Sequence, residues 1–133
     1  MKQKKCAGFS LLELTIAMAV MAGGLLMILL ANTYSHRTGE AMYERMVATQ
    51  DAHRTLEMMR ASSSSGNFPA NVTTAYPNGA AVAGFANLSG ESVTVTYADP
   101  AADPLDVTVT NRWRELNLRN TSTQLRTLLT KRE

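Results

Sequence analysis

One stretch of the chain is apolar throughout, and beyond it apolar positions thin into regular patterns. Residues 14–31 read LTIAMAVMAGGLLMILLA, eighteen positions without a charge, and Phe9, Leu11 and Leu12 add a mostly apolar turn in front. A helix needs about 20 such residues to cross a bilayer. Further on, Met42, Met46, Thr49, Ala52 or His53, Leu56 and Met59 recur three to four apart, with no Gly or Pro between Glu40 and Ala61. That spacing predicts a helix continuing to about Arg60 with one stripe turned toward a core, the methionines serving as packing rather than as a partner site. Arg37, Arg45, Arg54 and Arg60, balanced by Glu40, Glu44, Asp51 and Glu57, read as its solvated faces.

Ser62 to Gly66 stop this helix, and residues 61–90 carry no charge. Pro69, Pro77, Gly79 and Gly84 break the segment into short pieces. It reads as a loop lying on the helix, anchored by Phe68, Val72, Tyr76, Val82 and Phe85, with at most one short strand. Strand alternation follows: Val93, Val95 and Tyr97 against Thr94 and Thr96, then Val107, Val109 and Trp113 against Thr108, Thr110 and Arg112. ADPAADPL between them is a turn. A polar third segment, about 118–128, reads as an edge strand paired to the second through a turn at 115–117. The expected fold is α+β: a long N-terminal helix, its first half transmembrane, packed on a small antiparallel meander with its other face in solvent.

A length of 133 residues suits one small domain plus one anchor. Lys2, Lys4 and Lys5 precede the apolar run, and the next positive charge is Arg37. This places the N-terminus in the cytoplasm and the bulk of the chain outside it. The only cysteine is Cys6. It stands ahead of the apolar run, where a lipoprotein cysteine would end it, so the exported part is expected to rely on packing rather than a disulfide. A secretory signal would look similar up to Leu30, but its apolar region is usually shorter and does not run on into a helical pattern.

Glu13 is the odd residue. A carboxylate in an apolar segment costs about 2.5 to 3.5 kcal/mol at a membrane centre, so it normally has a partner. Gly8, Phe9, Ser10, Leu11, Leu12, Glu13 and Leu14 resemble the processing site of type IV prepilins and type II secretion pseudopilins. The resemblance implies a leader, 1–8, cut between Gly8 and Phe9 by a prepilin peptidase/methyltransferase that N-methylates Phe9. It also implies that Glu13 meets the N-terminal amine of a neighbouring pilin subunit during assembly; the two buried charges, each costly alone, would satisfy one another. The division is then leader 1–8, transmembrane half 9–31, amphipathic continuation 32–60 and extracytoplasmic head 61–133. The protein is expected in the inner membrane as a single-pass chain, C-terminus periplasmic, and afterwards in a pilus or pseudopilus. Cleavage would remove three of the 13 bases and leave ten against 11 acids, so bulk charge does not point to nucleic acid. Gly23 and Gly24 read equally as a weak point in the helix or as a close-packing notch.

The ending TVTNRWRELNLRNTSTQLRTLLT resembles the C-terminal strands of minor pilins of the pilus-modification type, and Leu30 stands where many major pilins carry proline. A minor pilin within a type IV pilus, or initiating it, is the leading expectation. A minor pseudopilin of a secretion or competence system follows, and then a tip module binding DNA or a surface. Nothing supports catalysis: His36 and His53 both fall on the long helix, no G-x-S-x-G elbow exists, and no cofactor is implied. Asp99, Asp103 and Asp106 share one loop and are weak candidates for calcium; a solvated acidic turn is the favoured reading. Charge in the head is uneven, with four acids and no base in residues 91–111 and six bases in 112–133. That asymmetry suits acid-to-base docking between subunits. DNA contact through Arg112, Arg114 and Arg119 is a further option, though no aromatic platform for bases accompanies them. Three N-x-S/T triplets, at Asn71, Asn87 and Asn120, are chance matches in a Thr- and Asn-rich chain.

Overall fold

The computed structural model describes residues 10–64 and 67–131. The expected leader with Cys6, and the expected cleavage and methylation site at Gly8 and Phe9, lie outside the described residues. The order of elements is α1 (Leu11–Ser63), α2 (Ala70–Ala75), β1 (Ser92–Tyr97), β2 (Leu105–Glu115) and β3 (Arg119–Leu129). Two compact units divide the chain, Met1–Thr38 and Gly39–Glu133.

In the first unit, the described residues from Leu11 onward are helical. Ser10 caps α1, its Oγ accepting the Glu13 N–H at 3.2 Å, as a serine at that position does for an orphan donor. Large apolar side chains from Leu11 to Leu30 are all more than half exposed, so this part of α1 is long and apolar enough to cross a membrane. Gly23 and Gly24 are helical, and a Cβ at either would have no atom within 4 Å. Among the described residues no neighbour occupies a notch there.

In the second unit α1 packs on a three-stranded antiparallel sheet of order β1-β2-β3. In β1 and the first half of β2 valines alternate with more polar residues, so one face there is apolar. Register sets Val95 opposite Val109, Tyr97 opposite Val107 and Val109 opposite Leu125. Ala52, Leu56 and Met59 of α1 meet Val93, Val95, Tyr97, Leu105, Val107, Val109 and Leu129 in one core. Ala48 and Ala52 are completely buried; side chains that short let the helix backbone come close to the sheet.

The uncharged segment behaves as its anchors predict. Val72 is buried, and Phe68, Tyr76, Val82 and Phe85 pack against the core. The short helix α2 was not expected from its sequence. After it the chain lies along the outer edge of β1, where the Gly79 and Val82 N–H groups donate to Val95 O and Val93 O, each at 2.8 Å. Ala81 bridges Thr94 there. β3 forms the other edge, as anticipated.

The expected stripe on α1 needs correction. Met42 and Met46 are 66% and 60% exposed, and the buried set begins at Ala48 with Asp51, Ala52, Thr55, Leu56, Met59 and Ser63. Asp51, read as solvated, is 5% exposed. Glu44 is half-buried. The physical reason lies in β2, whose core face changes from Leu105, Val107 and Val109 to Asn111, Trp113 and Glu115. Opposite that polar end the helix presents polar groups, not methionines.

Candidate functional site

Of the residues singled out in the sequence, Glu13 stands in the first turn of α1, three residues after its cap. A carboxylate there complements the helix dipole and fits a capping box with Ser10. Among the described residues, however, its side chain has no hydrogen-bond or ionic partner, and apolar side chains surround it in sequence. Its capacity for an ammonium partner is unspent.

The three aspartates of the β1–β2 connection do not converge. Among the described residues no group of three or more His, Cys, Asp or Glu side chains is placed to hold a metal ion. Asp106 is on β2, where its Oδ1 accepts the Nε–H of Arg126 at 2.9 Å. The Arg126 hydrogen bond holds the Asp106 carboxyl below the usual carboxylate range. Asp99 accepts the backbone N–H of Ala101 at 2.9 Å, an ordinary aspartate turn. The loop is therefore a turn closed by its own side chains and an ion pair within the head.

Two polar clusters that sequence reasoning missed join α1 to the sheet. In the first, Glu115 is 2% exposed at the end of β2, and its Oε1 accepts the Arg45 Nε–H at 2.8 Å. Arg119, across the hairpin, pairs with its other oxygen. The hydrogen bond from Arg45 is the main cause of a Glu115 pKa below the ordinary glutamate value, with the bond from Arg119 adding to it against the opposing effect of desolvation. Beside it Glu44 accepts the Leu116 N–H.

In the second cluster, Asn111 Nδ2 donates to Ala48 O of the helix at 3.2 Å and to Glu91 Oε1 at 2.7 Å. Glu91 Oε2 accepts the N–H groups of Asn87 at 2.8 Å and Leu88 at 3.1 Å. Asn87 Nδ2 in turn donates to Asp51 Oδ2 at 2.9 Å. A chain of hydrogen bonds thus runs from helix to loop to sheet. The signal available beforehand was position: Asp51 falls at the same helical spacing as Ala48, Ala52 and Thr55. Its partners lay too far along the chain for pattern reading to connect them.

Asp51 also lines an open groove of about 640 Å³ with Tyr43, Val47, Gln50, His53, Arg54 and Asn87 among its walls. Arg54 stacks over the Phe85 ring, 5.8 Å from its centroid. On the solvent face of β2, Arg112 and Arg114 are exposed, and among the described residues neither belongs to an ion pair. Arg119 does not share their freedom, since Glu115 holds it. The free basic surface of the head is thus smaller than residues 112–133 suggest.

No family model matches the chain, and comparison with curated proteins and with solved structures returns no match either.

Proposed function

We propose that the protein is a minor pilin, incorporated into a type IV pilus or initiating its assembly after cleavage between Gly8 and Phe9 and N-methylation of Phe9. The observation that carries this reading is Glu13: a carboxylate without a partner among the described residues, at the start of a helix whose apolar side chains are exposed. Desolvating that carboxylate in a bilayer is tolerable when a cation joins it. A neighbour's N-terminal ammonium, freed by cleavage, has the right charge. Support also comes from the helix-on-meander head, which leaves the first part of α1 uncommitted to its own core. A minor pseudopilin of a secretion system uses the same chemistry and is the alternative.

The test is Glu13→Ala in the full chain. Leader removal and Phe9 methylation, read by mass spectrometry, should persist, while the subunit should vanish from sheared filaments. Recovery of the variant in filaments at the wild-type level would remove the assembly role of Glu13.

A further inference from the structure

The carboxylate of Asp51 is buried at the edge of the groove on α1. It is 5% exposed, its hydrogen bond is to the neutral amide of Asn87, and no ion pair among the described residues includes it. A buried charge without an opposite partner is costly in low-dielectric surroundings. Arg54, also on the groove wall, stands over the Phe85 ring, and Arg60 pairs with Glu57. The groove beside Asp51 is open, and the Tyr43 side chain on its wall is 63% exposed. The groove thus holds a carboxylate with which a guanidinium can pair and, elsewhere on its wall, an aromatic ring on which one can stack.

The head itself displays such groups. Arg45 and Arg119 are held by Glu115 and Arg126 by Asp106, but Arg112 and Arg114 are exposed on the solvent face of β2 and belong to no ion pair among the described residues. Hydroxyls flank them, with Ser92 and Ser122 directly opposite Arg112 in register. The Arg114 side chain lies against Gly90, where a Cβ would sit 3.9 Å from its Cγ and Cδ.

We propose that the Asp51 groove receives Arg112 or Arg114 from a second copy of this chain. The donor surface is on the sheet layer facing away from the helix, while the groove opens on the flank of α1 facing away from the sheet. A contact between unlike surfaces is heterologous, so it runs on from copy to copy rather than closing as a two-fold pair. This deepens the filament reading and rests on it: the acid that docks between subunits is Asp51, not the β1–β2 turn, whose Asp106 is already paired.

The experiment uses two full-length chains, both with Cys6→Ser, co-expressed in one membrane and oxidised. One carries Gln50→Cys at the groove; the other carries Ser122→Cys beside Arg112. Mixed disulfides between the two chains should dominate over like-with-like ones. Asp51→Asn, which keeps the side-chain shape, should lower the mixed product about tenfold. Asp51→Arg in one chain combined with Arg112→Asp and Arg114→Asp in the other should restore it. Equal yields of like-with-like product overturn the docking, as does an unchanged yield with Asp51→Asn. Filaments that form without any mixed disulfide also sink it and leave the pilin reading intact. If mixed disulfides persist with Glu13→Ala while filament incorporation is unaffected, the docking stands and the role of Glu13 falls.

Discussion

Both carboxylate oxygens of Glu44 accept the backbone N–H of Leu116, at 3.2 and 3.0 Å. Leu116 and the following Asn117 have φ of 50° and 57°, and the Leu118 N–H returns to Glu115 O at 3.0 Å. That is the mirror-image turn favoured in hairpins, normally built from Asn-Gly. A leucine in the left-handed region costs about 1 to 2 kcal/mol, and Glu44 holds it there from the helix.

Replacing the turn with its preferred residues, Leu116→Asn with Asn117→Gly, should raise the stability of the head by about 1 kcal/mol. Glu44→Ala should lower it by about 1.5 to 3 kcal/mol. The loss should shrink in the Asn-Gly background, because a turn without strain needs less holding. Thermal unfolding of the full chain in detergent, followed by near-ultraviolet dichroism, measures all four corners of this cycle; strict additivity would contradict the coupling.

Met59 is fully buried, whereas Met42 and Met46 are exposed. Met59→Ala should cost about 2 to 5 kcal/mol through lost burial and the cavity left behind. The same change at Met46 should stay within about 0.5 kcal/mol. Comparable losses at both positions would put the helix in a different rotation on the sheet.

The lowered pKa of Glu115 has a definite pH signature. A carboxylate depressed in the folded state contributes stability that is present above its unfolded pKa and is lost as pH falls through the folded one. The head should therefore weaken below the ordinary glutamate range, with Asp106 contributing in the same direction. Glu115→Gln should start from lower stability, since Arg45 and Arg119 lose their shared anion, and its acid limb should be flatter. Melting temperatures across an acid titration of both proteins decide this.

At the alkaline end Tyr97 acts with the opposite sign. Desolvation, with a smaller effect from Tyr76, pushes its pKa up from 10.0 to about 12, and its hydroxyl donates to Tyr76 O at 2.7 Å. A raised pKa gives stability that is complete below the unfolded value and declines as pH rises through the folded one. Ultraviolet titration of tyrosinate should show one late-titrating group that disappears with Tyr97→Phe.

Strands were readable in this sequence because Val and Tyr alternate with Thr over short distances, and the alternation itself defines which face is buried. The anchors of the uncharged segment were readable for a similar reason: Phe68, Val72, Tyr76, Val82 and Phe85 are the large apolar groups in a stretch of small polar ones. Asp51, Glu44 and Arg45 were not, because charge on a helix normally means solvent and their partners are Asn87, Leu116 and Glu115, distant in the chain. Met42 and Met46 misled in the opposite direction. Periodicity marks a face of the helix but not how far along it the core extends, and here the polar end of β2 ends the core near Ala48.

Residues 78–82 lie along β1 and occupy the backbone groups through which another strand would join on that side. The sheet therefore has a direction of growth. A newcomer can pair only at β3, where Arg119 and Arg126 stand, and a chain relieved of 78–82 would offer the valine-rich β1 as a second and far more adhesive margin. The segment thus closes that margin through its backbone, which constrains where it lies more than which side chains it carries.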